Sequence, residues 1–205
     1  MKIQLAIDRV SIEKAVEIVD ETKDYVDIIE VGTSLIKDFG MDSLRNIRAK
    51  YKNKCILADM KTIDEGEYEF KAAFENGADI ATAMGAASIE TLDICYYTAK
   101  KYNKVMMIDM LQLSDEKIRQ LGKYQDAIFC IHTPSDNKAD NIGQKIENTK
   151  KLLPNVKHLA IAGGINIDNI DQVKEIEIVI LGSAVTKSID IKEAAKKYHD
   201  YISSL

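Results

Sequence analysis

The sequence predicts an α/β fold of the (β/α)8 TIM-barrel type in a single domain, and three observations carry that expectation. Eight short, β-rich apolar runs recur along the 205 residues, a stretch with apolar residues at helical spacing follows each run, and no linker or shift in composition interrupts the series. The runs are IQLAID (3–8), DIIEVG (27–32), CILADM (55–60), DIATAM (79–84), VMMIDM (105–110), AIFCIH (127–132), HLAIAG (158–163) and IVILG (178–182).

The intervening segments read as an outer ring of helices. The first places Ile12, Ala15, Val16 and Val19 on one face, and the fourth does the same with Leu92, Cys95, Tyr96 and Ala99. Spread over 205 residues, eight units have about 26 residues each, enough for a barrel whose loops carry few insertions. The two prolines, Pro134 and Pro154, fall between predicted elements, where proline is tolerated. A doubly wound open sheet is the competing architecture. It commonly has five or six strands and a glycine-rich turn after the first, whereas LAIDRVS contains no glycine.

Composition narrows the function. A hydrophobic content of 46% supplies one good core, and charged residues at 30% balance to a net of -5 with no long block of one sign. Nucleic-acid and membrane partners are therefore not expected. The opening MKIQLAIDRV places an acid early and builds no long apolar run, so the expected location is the cytosol. Cys55, Cys95 and Cys130 are far apart and sit in or beside apolar runs, where free cysteine packs as a small hydrophobe.

Strands of a parallel barrel are buried on both faces, so a charge at a strand's C-terminal end is the informative exception. Asp8, Glu30, Asp59 with Lys61, Asp109 and His132 all stand at such ends, and these ends converge on the face where barrel active sites occur. Asp8 taken alone also reads as a cap for the helix that starts near SIEKA. Several unpaired buried charges together would cost several kcal/mol each, so the cluster implies mutual pairing or a bound ligand.

In an extended strand Asp59 and Lys61 point to the same face, which puts the ammonium beside the carboxylate in the barrel mouth. A lysine so held can stabilise a developing enediolate or carbanion, although a purely structural Lys–Asp pair has the same spacing. Glu30 and Asp59 end consecutive strands and could supply the two carboxylates that Mg²⁺ needs, or could be two hydrogen-bonded acids. His132 stands where a strand gives way to a loop and is of the residue type that moves protons near neutral pH. His158 and His199 read as structural. Two glycine turns, Ala162-Gly163-Gly164-Ile165 and Leu181-Gly182-Ser183-Ala184, follow the seventh and eighth runs, the recurrent phosphate site of barrels; Gly163, Gly164, Gly182 and Ser183 are its candidates.

Taken in order, LAID (5–8), Ile29-Glu30-Val31-Gly32-Thr33, LADMKTID (57–64), GADI (77–80), MIDM (107–110), IHT (131–133), AGGI (162–165) and LG (181–182) resemble the orotidine 5′-phosphate decarboxylase suprafamily, and within it the 3-hexulose-6-phosphate synthases. The Asp-x-Lys-x-x-Asp element at 59–64 is the most specific part. The resemblance implies a homodimeric barrel with shared active sites, in which Glu30 and Asp59 correspond to Mg²⁺ ligands and Asp8 and Lys61 line a sugar-phosphate substrate. It further implies that Asp64 reaches into the partner's site. The implied reaction is a reversible aldol condensation of D-ribulose 5-phosphate with formaldehyde through a 1,2-enediolate, with His132 transferring the C1 proton, Lys61 stabilising charge and no Schiff base.

The 3-keto-L-gulonate-6-phosphate decarboxylases share the same element. They typically carry Glu where this chain has Asp109, and Arg where it has Ser135 and Ser183. The chain also departs from the synthases, with Pro134-Ser135-Asp136 for Gly-Tyr-Asp, a changed stretch at 137–141, and Gly182-Ser183 for a Gly-Gly pair. These departures fall on loops that contact substrate. An epimerase or a non-catalytic sugar-phosphate-binding barrel is the reading from another class, and joint retention of Asp8, Glu30, Asp59, Lys61, Asp64 and His132 argues against the latter.

Overall fold

A computed structural model describes residues 1–133 and 142–205. The expectations attached to Pro134, Ser135, Asp136 and the 137–141 stretch lie outside the described residues. Eight parallel strands close into one barrel in sequence order: β1 (Lys2–Ile7), β2 (Ile28–Val31), β3 (Cys55–Thr62), β4 (Ile80–Met84), β5 (Val105–Asp109), β6 (Ile128–His132), β7 (His158–Ala162) and β8 (Ile178–Leu181). Each predicted run supplies one strand. Asp8, Gly32, Gly163 and Gly182 fall just beyond their strands, at the start of the loops that crown the barrel.

Around it stand α1 (Ile12–Thr22), α2 (Thr33–Phe39), α3 (Met41–Lys50), α4 (Gly66–Glu75), α5 (Ile89–Lys101), α6 (Asp115–Leu121), α7 (Ile142–Leu152), α8 (Ser183–Thr186) and α9 (Ile191–Ser203). Ser11, Ser88, Ser114 and Asp190 cap α1, α5, α6 and α9 by accepting a hydrogen bond from the backbone three residues on. The seventh unit differs from expectation, because a short 3-10 turn at Ile170–Val173 stands where the apolar spacing predicts a helix. The cause is local: Asn166 and Asn169 bind the backbone of their own loop, and such side-chain bonds compete with a helix. Among the described residues no helix is long and apolar enough to cross a membrane.

Side-chain alternation divides the apolar residues between two cores. Ile56 and Ala58 face the helices, while Leu57 joins Ile28, Ile80, Met107, Ile128, Cys130, Ala160 and Ile178 inside the barrel. Two residues further along each inner series the apolar fill gives way to Glu30 after Ile28, Asp59 after Leu57, Thr82 after Ile80, Asp109 after Met107 and His132 after Cys130. The barrel floor is therefore greasy and its C-terminal mouth is polar.

Candidate active site at the barrel mouth

Asp109, at the end of β5 and 3% exposed, is the centre of the polar cluster. Its Oδ2 lies 2.8 Å from Lys61 Nζ and 2.9 Å from His132 Nδ1, and its Oδ1 accepts from the Leu111 amide at 2.9 Å. Burial works against the Asp109 carboxylate, but the hydrogen bond with His132 and the charge of Lys61 hold it down at about 2. An ionised carboxylate facing Nδ1 requires that nitrogen to carry the proton, which leaves Nε2 of a neutral His132 as the basic site.

Lys61 also reaches Asp59 Oδ2 at 3.2 Å. Burial opposes its charge, yet Asp59 and Asp109 outweigh burial and hold the ammonium well above its ordinary value, so it is a permanent cation. The predicted Asp59–Lys61 proximity is present, but simple strand alternation does not produce it. The β3–β4 ladder runs Leu57↔Ile80 and Ala58↔Ala81, then resumes only at Thr62↔Ala83, and Lys61 sits at φ +51°. A bulge aims Lys61, as bulges beside active sites do.

Asp59 is held by two hydroxyls, Thr33 Oγ1 donating to Oδ2 at 2.5 Å and Thr82 Oγ1 donating to Oδ1 at 2.8 Å. Glu30 is buried close by, where Gln4 Nε2 donates to its Oε2 at 2.6 Å. Burial first, and the Asp59 charge second, push the Glu30 carboxyl up to about 8. Among the described residues, Gln4 Oε1 is buried and meets no hydrogen-bond partner. Two crowded carboxylates are oxygen donors of the kind a hard divalent cation takes. Among the described residues no group of three or more His, Cys, Asp or Glu forms a metal cage, so a cation on Glu30 and Asp59 would complete its shell with water or substrate.

Asp8 lies at the rim and caps α2, not the helix that follows it in sequence. Its Oδ1 accepts from the Ser34 amide at 3.0 Å and from Ser34 Oγ at 2.8 Å, whereas Ser11 caps α1. Gly32 permits this approach, since a Cβ there would stand 2.3 Å from the Asp8 carboxylate. Asp64 is exposed in the loop after β3, and among the described residues its carboxylate accepts from the Glu65 amide at 2.8 Å and from no member of the cluster.

The glycine turns follow the neighbouring strands β7 and β8. Gly163 has φ +97°, and a Cβ would lie 2.0 Å from the Thr133 carbonyl oxygen; the Gly164 carbonyl is held by Asn169 at 2.9 Å. Gly182 accepts from the amides of Val185 and Thr186, so Ser183 opens the single turn of α8.

Three members of the site escaped the sequence reading. Gln4 was visible in principle, as a polar residue in mid-strand where a buried strand should be apolar. Thr33 and Thr82 had no such signal, because threonine is an ordinary strand and loop residue.

The family model for the orotidine 5′-phosphate decarboxylase / HUMPS family matches residues 1–198 of this chain. A 3-hexulose-6-phosphate synthase of Bacillus subtilis (strain 168) is 35% identical over 210 residues, covering 98% of this chain and 99% of the relative. The crystal structure of a 3-hexulose-6-phosphate synthase from Salmonella typhimurium superposes with a TM-score of 0.91 at 30% identity, over 100% of this chain and 99% of that one. A 3-keto-L-gulonate-6-phosphate decarboxylase from Vibrio cholerae O1 superposes with a TM-score of 0.88 at 26% identity, over 99% and 97% of the two chains.

Proposed function

The chain belongs to the orotidine 5′-phosphate decarboxylase / HUMPS family, and from that membership we propose that it is a carbon–carbon lyase of the 3-hexulose-6-phosphate synthase type. Its reaction is the reversible condensation of D-ribulose 5-phosphate with formaldehyde. The observation that carries this reading is the linked set Lys61–Asp109–His132, a fixed cation and an oriented base joined through one carboxylate.

His132 accepts the C1 proton of the ketose at Nε2, with Asp109 holding Nδ1–H so that the imidazole presents the correct nitrogen and the imidazolium is stabilised as it forms. Lys61 lies beside the oxygen that gains charge in the 1,2-enediolate. C1 then attacks the formaldehyde carbon, the new carbon–carbon bond forms, and the aldehyde oxygen takes up a proton. Glu30 and Asp59 would hold Mg²⁺, which would supply Lewis-acid polarisation of substrate oxygens. Backbone amides at Gly163, Gly164, Gly182 and Ser183 receive the phosphate, and Asp8 lines the substrate.

The unit of activity is a homodimer in which Asp64 completes the partner's site. Support comes from the surface around it: Ile63 is 54% exposed, and Tyr68 on α4 and Tyr97 on α5 are 72% and 69% exposed. Apolar exposure concentrated on neighbouring elements marks a contact surface.

The short Asp109 also favours the synthase over the decarboxylase reading. Its oxygens already bridge Lys61 and His132 at 2.8 and 2.9 Å, a span that the extra methylene of a glutamate would alter. The test is consumption of formaldehyde and D-ribulose 5-phosphate by purified protein, with Mg²⁺ and then with EDTA. Metal-dependent loss of both substrates is the expected result. Untouched formaldehyde, with CO₂ released from 3-keto-L-gulonate 6-phosphate, would overturn it.

A further inference from the structure

We infer that Thr82 is a positioning residue of this site, its hydroxyl locking the left-handed Lys61 backbone and the Asp59 carboxylate to each other. The inference rests on the reading of Lys61 as the residue that meets developing negative charge. It starts from the β3–β4 ladder, in which Asp59, Met60 and Lys61 stand opposite the single residue Thr82. A backbone N–H inside such a bulge loses its ladder acceptor and must find another if it is buried.

Lys61 N–H finds Thr82 Oγ1 at 2.9 Å, and the same hydroxyl donates its own proton to Asp59 Oδ1 at 2.8 Å. A hydroxyl has one proton and two lone pairs, so both bonds form together and the direction of each is set. Thr82 is 3% exposed, which leaves little water to compete.

The consequence is geometric. Lys61 holds φ +51°, a region where a non-glycine residue persists only if its surroundings impose it. From that backbone its Nζ reaches Asp59 at 3.2 Å and Asp109 at 2.8 Å. Thr82 otherwise continues the inner series between Ile80 and Met84, where a valine would fill nearly the same volume with equal strand propensity. Among the described residues, the bonds made by its hydroxyl run only to the bulge and the carboxylate.

The test compares Thr82→Val and Thr82→Ser with the wild type in thermal midpoint, hydrogen exchange at the Lys61 amide, and kcat and KM. In Thr82→Val the Lys61 amide should exchange roughly tenfold faster or more. Its kcat should fall about 100-fold while KM for the sugar phosphate stays within about threefold, the signature of a misplaced group and not of lost binding. Thr82→Ser should restore both. If Thr82→Val does not fold, Thr82→Ala removes the fixed acceptor while leaving room for water, and the same outcomes apply. Unchanged exchange and kcat would overturn the inference, as would equal damage in Thr82→Ser, which would assign the effect to the methyl group. Should the wild type leave both substrates untouched, the functional proposal fails, while Lys61 amide exchange still decides the role of Thr82.

Discussion

Both oxygens of the Asp109 carboxylate face one nitrogen of His132, at 2.9 and 3.1 Å from Nδ1. This arrangement sets the imidazole tautomer. Asp109→Asn keeps the shape but can present an amide N–H to Nδ1, which favours the proton on Nε2 and removes the base. The expected loss in kcat is roughly 10²- to 10⁴-fold, with the fold retained by circular dichroism. Wild-type turnover in Asp109→Asn would remove His132 from the mechanism.

The raised Glu30 carboxyl makes a prediction about metal removal. A folded value of about 8 against an ordinary 4.5 means that the folded chain holds this proton more tightly than the unfolded chain. The group's stabilising contribution is therefore full below the unfolded value and is lost as pH rises through the folded one. In EDTA, the wild type should lose stability relative to Glu30→Gln by up to about 1.4 kcal/mol per pH unit across that window. Mg²⁺ added at the alkaline end should stabilise the wild type and not Glu30→Gln. Urea unfolding at both ends of the window measures this, and parallel behaviour of the two proteins would separate Glu30 from the cation.

Gly163→Ala should damage the turn after β7. The new Cβ would have to displace the Thr133 carbonyl while its residue holds φ +97°. The expected cost is about 1–3 kcal/mol in urea unfolding, together with a raised KM for the sugar phosphate. A KM equal to that of the wild type would exclude this turn from the phosphate site.

The proposed dimer makes a complementation experiment decisive. Lys61→Ala and Asp64→Ala should each be inactive alone. A mixed dimer regains one complete site, from Lys61 of one subunit and Asp64 of the other, so re-associated mixtures should recover about a quarter of wild-type activity. Absence of recovery in mixtures shown to contain heterodimers would confine Asp64 to its own chain.

Much of the site is legible residue by residue. Glu30, Asp59 and Asp109 are buried and His132 is partly buried, and each interrupts the apolar series of its strand toward the barrel mouth, where burying a polar group is costly enough to make the interruption meaningful. Gln4 interrupts the first strand in the same way, but in mid-strand, away from the ends that signal chemistry. Asp8 precedes α1 and nevertheless serves α2, because a cap is chosen by proximity in space. The Asp59–Lys61 pair is legible as a pair, while period-two alternation gives the wrong reason for it.

Eight apolar runs and the charges near their C-terminal ends were enough for the barrel, its eight strands and its polar mouth, because a closed parallel barrel leaves each strand only an inner and an outer face. The bulge that turns Lys61, the hydroxyl of Thr82 that holds it, the Gln4–Glu30 bond and the sharing of Asp109 by Lys61 and His132 were decided only in the tertiary structure. Each joins residues on different strands, and such hydrogen bonds depend on distances of a few tenths of an ångström that no spacing along one chain encodes.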